Sequence, residues 1–302
     1  MTRRISMKFN KWFLVLASTC TLAAFTAGYC ETQTAEVMTK KEAVEKAEKH
    51  SEPELKGKIL VTDFSRVSED NAKVMAKKYF NCDVEKVLYV ESIGGCLAMI
   101  KSGRADFMFT SDIVANYIIK RNPELKPNIL NKNLCIVMGL RNSDVKLRDS
   151  LNSAIVKIKE SGKYDQLYKT WIKDLPVDSE PSLTTIEKNA DSETVYVGVT
   201  GDMPPLDYIA ADGKPAGFSV AFLAEVSRLI GKNIEIVTVE SQARYAALEA
   251  KKIDVFFWMF MPENKAAQAR FDAENTEEVA FMKKFITTDS YCVFKPAFLL
   301  KK

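Results

Sequence analysis

Two stretches of this chain carry nearly the same pattern. Val90-Glu91-Ser92 leads through an apolar-spaced segment to Asp106-Phe107-Met108-Phe109, and Val239-Glu240-Ser241 leads through a similar segment to Asp254-Val255-Phe256-Phe257. Upstream, Ile59-Leu60-Val61-Thr62-Asp63 echoes Val197-Gly198-Val199-Thr200-Gly201-Asp202, and a helical pattern follows each. The period of about 150 residues is too long for a solenoid, whose units run roughly 20–50. It predicts two lobes of one construction. Two α/β lobes in one chain imply a clamp with a ligand in the crevice between them.

The element pattern agrees. Strands are expected at Ile59–Thr62, Val87–Val90, Asp106–Thr110 and Cys135–Leu140, with helices between them and a helix over Asp112–Lys120 that stops before Pro123. Leu147, Leu151, Ala154, Ile155 and Ile158 recur at helical spacing, and a last short helix carries Tyr164, Leu167 and Trp171. Residues 173–194 turn polar and Pro-containing, which reads as a linker. The second region, 195–302, starts with a strand at Val195–Thr200. Next comes the turn Gly201-Asp202-Met203-Pro204-Pro205, which cannot be helical. Val255–Met261 is continuously apolar, as expected of a parallel strand buried on both faces, and Pro296 in the last apolar run disfavours an interior sheet position. Strands alternating with helices predict mainly parallel sheets.

The ends and composition narrow the setting. Arg3, Arg4, Lys8 and Lys11 precede an apolar run from Trp12 to Ala27, so residues 1–30 read as a secretory signal; an uncleaved membrane anchor is the alternative. Residues 31–54 read as a polar tether, with a helical stretch at Lys41–Lys49. Export places the mature chain in the periplasm or another extracytoplasmic space, where disulfides can form. Cys82, Cys96, Cys135 and Cys292 form no CxxC pair and read as small buried side chains, with at most one disulfide among the first three. His50 is the only histidine, and it sits in the tether, which leaves no basis for a metal site or a Ser-His-Asp triad. A net charge of +3 with interspersed signs excludes a nucleic-acid footprint. No cofactor is called for.

These residues resemble bacterial extracellular solute-binding proteins of family 3, the periplasmic receptors of polar amino-acid transporters, from Glu54 to Lys302. The carriers in the second region are Gly201-Asp202-Met203-Pro204-Pro205-Leu206, Asp212-Gly213 through Gly217-Phe218, and Lys252-Ile253-Asp254-Val255. In 55–172 they are Leu55-Lys56-Gly57-Lys58, Gly103-Arg104-Ala105-Asp106, Gly162-Lys163-Tyr164-Asp165 and Tyr168-Lys169-Thr170-Trp171. The resemblance implies a two-lobed, periplasmic-binding-protein-like (type II) α/β fold. The order is inverted, however. What looks like the family's second lobe and closing helices comes first, and what looks like its first lobe comes last. The chain therefore reads as a circular permutant cut at one hinge crossing; two fused halves pairing in trans as a swapped dimer is the rival account.

The resemblance also implies where a ligand would sit. Ligands in open parallel sheets gather beyond the carboxyl ends of strands, which selects the turn Asp202–Tyr208, the end of the Phe257–Met261 strand, and the helix starts at Ser65 and Ser111. Family members usually carry an Arg after that second-region strand to pair with a ligand carboxylate; here Asn264 stands in its place, with Lys265 beside it. Ser111 occupies the position of the family's ammonium-binding Asp, with Asp112 next to it. Trp258, Met259 and Phe260 stand where small polar residues usually line the crevice. In the functional reading Trp258, Phe260 and Tyr208 floor the site, Leu206 and Asp202 flank it, and Ser65, Arg66 and Lys265 hold an anionic group. In the other reading the bulky residues are core and the clamp is a regulatory or partner-binding module. The expected function is capture of a small molecule, anionic or aromatic, for a membrane transporter or receptor. An enzyme is the third alternative; Asp63, Asp112, Asp202, Asp207 and Glu263 are acids near the crevice, and the sequence does not show any two converging.

Overall fold

The computed structural model describes residues 59–62, 69–178, 184–240, 243–262 and 283–302, all within one compact unit. The expected signal and tether lie outside the described residues. In the first part of the chain the strands are β1 (Ile59–Thr62), β2 (Lys86–Tyr89), β3 (Phe107–Ser111), β4 (Leu125–Ile129) and β5 (Leu134–Arg141). They alternate with α1 (Glu69–Phe80), α2 (Ile93–Lys101) and α3 (Asp112–Arg121), and β5 leads to α4 (Val145–Glu160), α5 (Lys163–Tyr168) and a π-helical turn, Lys169–Lys173. After the linker come β6 (Thr194–Val199), a small sheet of β7 (Asp202–Met203), β8 (Asp207–Ile209) and β9 (Pro215–Ala216), then α6 (Phe218–Ile230) and β10 (Asn233–Thr238). α7 (Arg244–Glu249), β11 (Val255–Pro262), β12 (Phe285–Thr287), β13 (Cys292–Phe294) and β14 (Pro296–Lys301) complete the chain.

Two larger sheets result, one per lobe. One has the order β2-β1-β3-β14-β4 and the other β10-β6-β11-β5-β12, with β13 also pairing β5. Parallel pairing runs through β1, β2 and β3 and through β10, β6 and β11. Each sheet is then extended by an antiparallel strand from a distant part of the sequence. β5 joins the second sheet between β11 and β12/β13, and β14 joins the first between β3 and β4. The links that carry the chain across are short: 130–133 after β4, and Lys295 alone between β13 and β14. Val255–Met261 therefore has one parallel and one antiparallel neighbour. Pro296 corrects an expectation: β14 is interior. A strand tolerates proline at its first residue, where no preceding ladder bond is lost, and Pro296 holds that position.

Local sequence explains the elements around the crevice. Ser92 and Ser111 cap α2 and α3 by accepting hydrogen bonds from the Gly95 and Val114 amides, each at 3.1 Å. α6 is apolar on most sides and buries Phe218, Val220, Ala221, Phe222, Leu223 and Val226, each large side chain contributing about 1.5–3 kcal/mol. α4 and α5 pack against α6, so the closing helices sit with the second sheet. A run of rings joins them to β11: Tyr164 to Phe218 at 5.8 Å, Phe218 to Phe222 at 5.9 Å, Phe222 to Tyr291 at 5.2 Å, Tyr291 to Phe257 at 4.8 Å, Phe257 to Trp258 at 5.2 Å. The Tyr291 hydroxyl donates to the Phe257 carbonyl at 2.7 Å, which satisfies the polar end of a fully buried ring. Cys82, Cys96, Cys135 and Cys292 are all buried, and none of the four forms a disulfide with another described residue.

Gly217 connects β9 to α6 at φ 107°, and a Cβ there would lie 2.6 Å from the Leu206 carbonyl oxygen. Backbone cannot swing away as a flexible side chain can. Gly217→Ala is expected to destabilise the protein by about 2 kcal/mol or more, because it combines left-handed strain with a backbone clash. Urea unfolding measures this, and a midpoint within error of the parent would contradict it.

Candidate functional site

The crevice between the lobes is lined on one side by Ile93, Met108, Phe109, Ser111 and Val114, and on the other by Ile136, Met203, Leu206, Trp258, Phe260 and Phe294. The free volume is about 30 Å³, room for a single water, and no charged side chain lines it among the described residues. Phe260 meets Phe294 edge-on at 5.1 Å within the second-sheet wall of the crevice.

A β-bulge sets which residues of β11 reach this space. Phe256 pairs with Gly139 and Met259 with Val137, so β11 has one residue more than its partner over that interval. The extra residue shifts the strand's phase. Phe257, Trp258 and Phe260 face the core that includes the crevice, while Phe256 and Met259 face a second cluster with Leu248, Ile253 and Phe285. A neighbouring contact fixes the pairing from the other side: a Cβ on Gly139 would sit 2.4 Å from the Phe256 ring.

The centre of polar organisation is Asp207, which is 1% exposed. Its carboxylate accepts hydrogen bonds from the Gly201 amide at 2.5 Å, the Thr200 hydroxyl at 3.1 Å and the Trp258 indole N–H. These bonds hold the β7–β8 turn against β11 and fix the Trp258 ring. Trp258's carbonyl in turn accepts from the Arg244 guanidinium at 3.0 Å. Burial pushes the Asp207 carboxyl up to about 6, outweighing the donors that favour its charged form.

Of the residues selected from sequence, Leu206, Trp258, Phe260 and Ser111 come together at the crevice. Ser111 spends its oxygen on the α3 cap. Asp112 turns away, into a separate cavity, and accepts from the Lys295 and Ile113 amides at 3.0 and 2.9 Å. Asp202 and Tyr208 face each other as a β7–β8 pair and do not line the crevice. Met259 is a correction: it is 4% exposed and packs in the second cluster, because neighbours along a strand point to opposite faces. Ser65, Arg66, Asn264 and Lys265 lie outside the described residues, as do Asp63 and Glu263. Sequence reading missed Met203 and Phe294 as walls of the crevice, and missed the structural part of Asp207. For Asp207 the signal was an acid placed between two apolar positions of a turn facing a Trp-bearing strand.

The folded state holds the Asp207 proton up to about pH 6, whereas an ordinary carboxyl releases it near 3.8. The stability this provides is complete below the ordinary value and is lost as pH rises to about 6. Urea unfolding between pH 4 and 7 is expected to show this loss in the parent, and Asp207→Asn is expected to lack it. An identical pH slope in the two proteins would refute the assignment.

Comparison with known proteins gives the relationship. Residues 18–174 and 195–288 match the family model described as bacterial extracellular solute-binding proteins, family 3. The L-cystine-binding protein TcyJ of Escherichia coli strain K12 is 30% identical over 70 residues, 23% of this chain and 26% of that protein. The same protein of Escherichia coli O6:H1 matches equally, so the chain spans about a quarter of the length of the curated relatives it matches. Among solved structures, a putative L-cystine ABC transporter from Listeria monocytogenes aligns with 13% identity and a TM-score of 0.37, covering 81% of each chain. A zinc-bound ligand binding component of an ABC-type import system from Staphylococcus aureus aligns with 11% identity and a TM-score of 0.39, covering 81% of this chain and 65% of that one. With the family model matching most of its length, the chain belongs to the bacterial extracellular solute-binding proteins, family 3.

Proposed function

We propose that the protein is an exported solute-binding clamp that takes a small molecule between its lobes and delivers it to a membrane transporter or receptor. The observation that carries this is the crevice at the carboxyl ends of β3 and β11, spanned by two short crossings at 130–133 and Lys295. Two adjacent crossings are the arrangement about which lobes close on a ligand. The described walls are aromatic and aliphatic, so an aromatic or apolar body suits them better than a bare zwitterion, whose buried charges would cost several kcal/mol unpaired. Ser65, Arg66, Asn264 and Lys265 remain candidates to meet an anionic group. The basic, then apolar, N-terminus supports export. Among the described residues no helix is long and apolar enough to cross a membrane.

The second reading is a clamp that kept the fold and lost its ligand. A crevice of about 30 Å³ favours it, since ligand pockets run to roughly 300–1,000 Å³. Solute capture therefore requires the lobes to open and the Trp258–Phe260 wall to separate from the Met108–Ser111 wall.

We also read the chain as a circular permutant. β14 ends in the strand position beside β3, and β1 lies on the far side of β3, so a chain continuing from β14 into β1 and cut in the 174–193 linker would recover the family order.

Thermal unfolding against amino acids, organic acids, amines and aromatic metabolites tests the main reading. A true ligand at about 100 times its dissociation constant adds roughly 2.7 kcal/mol. Phe260→Ala is expected to abolish that response, and a flat result across the panel would sink solute capture in favour of the second reading. Sedimentation is expected to give a single-chain species; an obligate dimer at every concentration would overturn the monomeric permutant.

A further inference from the structure

We propose that the protein has a second binding site, for a small planar organic anion that also carries a hydroxyl, on the side of α3 away from the crevice. The site does not depend on solute capture in the crevice. α3 presents two faces. Its cap Ser111 and Val114 look into the filled crevice, while Ile113, Asn116, Tyr117 and Lys120, spaced three, four and seven residues along the helix, line a different cavity. That cavity has a volume of about 250 Å³, against about 30 Å³ for the crevice. Its far wall is Tyr168 with the π-helical turn, so it bridges an element packed on the first sheet and one packed beside the second. Short π segments are frequent at functional sites. Here the turn buries Trp171 at 3% exposed and leaves Lys173 at the cavity wall.

The chemistry of the walls selects the ligand. Lys120, Arg121 and Lys173 supply three positive charges against the one negative charge of Asp112. Arg121 is held in place, stacked over the Tyr117 ring at 3.8 Å and donating to the carbonyls of Pro176 and Val177 at 3.0 and 2.9 Å. Lys173 lies 5.8 Å from the Tyr168 ring centroid. The Lys120 and Asn116 side chains make no hydrogen bond or ion pair among the described residues, so both are free to meet a ligand. A carboxylate would meet the lysines, a flat body would lie against the two tyrosines, and a hydroxyl would donate to Asp112, whose carboxyl burial has raised above its ordinary value.

The probe is 4-hydroxybenzoate, titrated calorimetrically into the purified protein, with 4-hydroxybenzyl alcohol as the uncharged control. Saturable binding of the acid and none of the alcohol is expected. Lys120→Ala combined with Lys173→Ala is expected to weaken the acid by about tenfold or more; both side chains are exposed, so an unchanged melting temperature separates this from unfolding. Phe260→Ala, which alters only the crevice, is expected to leave the affinity intact. No binding, equal binding of the alcohol, indifference to the lysine pair, or loss in Phe260→Ala would each overturn the site.

Discussion

The structure depends on two strands that each complete a sheet other than the one their sequence neighbours build. β5 follows the strands of the first sheet yet pairs with β11, and β14 follows the strands of the second yet pairs with β3 and β4. Each sits in the interior of its sheet, so its backbone donors and acceptors are satisfied only when the chain crosses. Neither sheet is complete without residues from the far side of a crossing. The two lobes are consequently one cooperative object, and the short links at 130–133 and Lys295 are the only backbone paths between β4 and β5 and between β13 and β14.

That architecture places β11 and the β7–β8 turn on one wall of the crevice, and this chain fills that wall with its own groups. Asp207 takes the Gly201, Thr200 and Trp258 donors, and strand alternation puts Trp258 and Phe260 on the same side. A carboxylate that could have faced a solute instead anchors an indole. The described crevice has become an apolar contact between lobes, held by packing and not by charge. Opening it exposes aromatic surface, so a ligand must recover that cost by covering the same rings.

α3 connects the crevice to the basic cavity behind it. Ser111 and Asp112 are adjacent in sequence but lie in different cavities, because successive helix-start residues point in different directions. A substitution on one face leaves the chemistry of the other in place.

The sequence by itself determined the two-lobed α/β architecture, strands β1, β2, β3, β5, β6 and β11, and the start of α3 at Ser111, because these follow from apolar periodicity and local hydrogen bonding; β4 and the short strands β7, β8 and β9 were not legible in it. The repeat of Val90–Phe109 in Val239–Phe257 was enough to predict two lobes. Leu206, Trp258, Phe260 and Ser111, chosen from sequence, line the crevice from the β7–β8 turn, from within β11 and from the end of β3. Strand alternation already argued against Met259, yet only the bulge register decided which neighbours shared a face. Only the tertiary structure decided that β14 is interior despite Pro296, that Asp207 is buried under Trp258, and that Asp112 looks away from Ser111. Each of these depends on pairing between residues more than 50 positions apart or on the rotation of a helix against another lobe. Such long-range packing leaves no periodic trace in the local sequence.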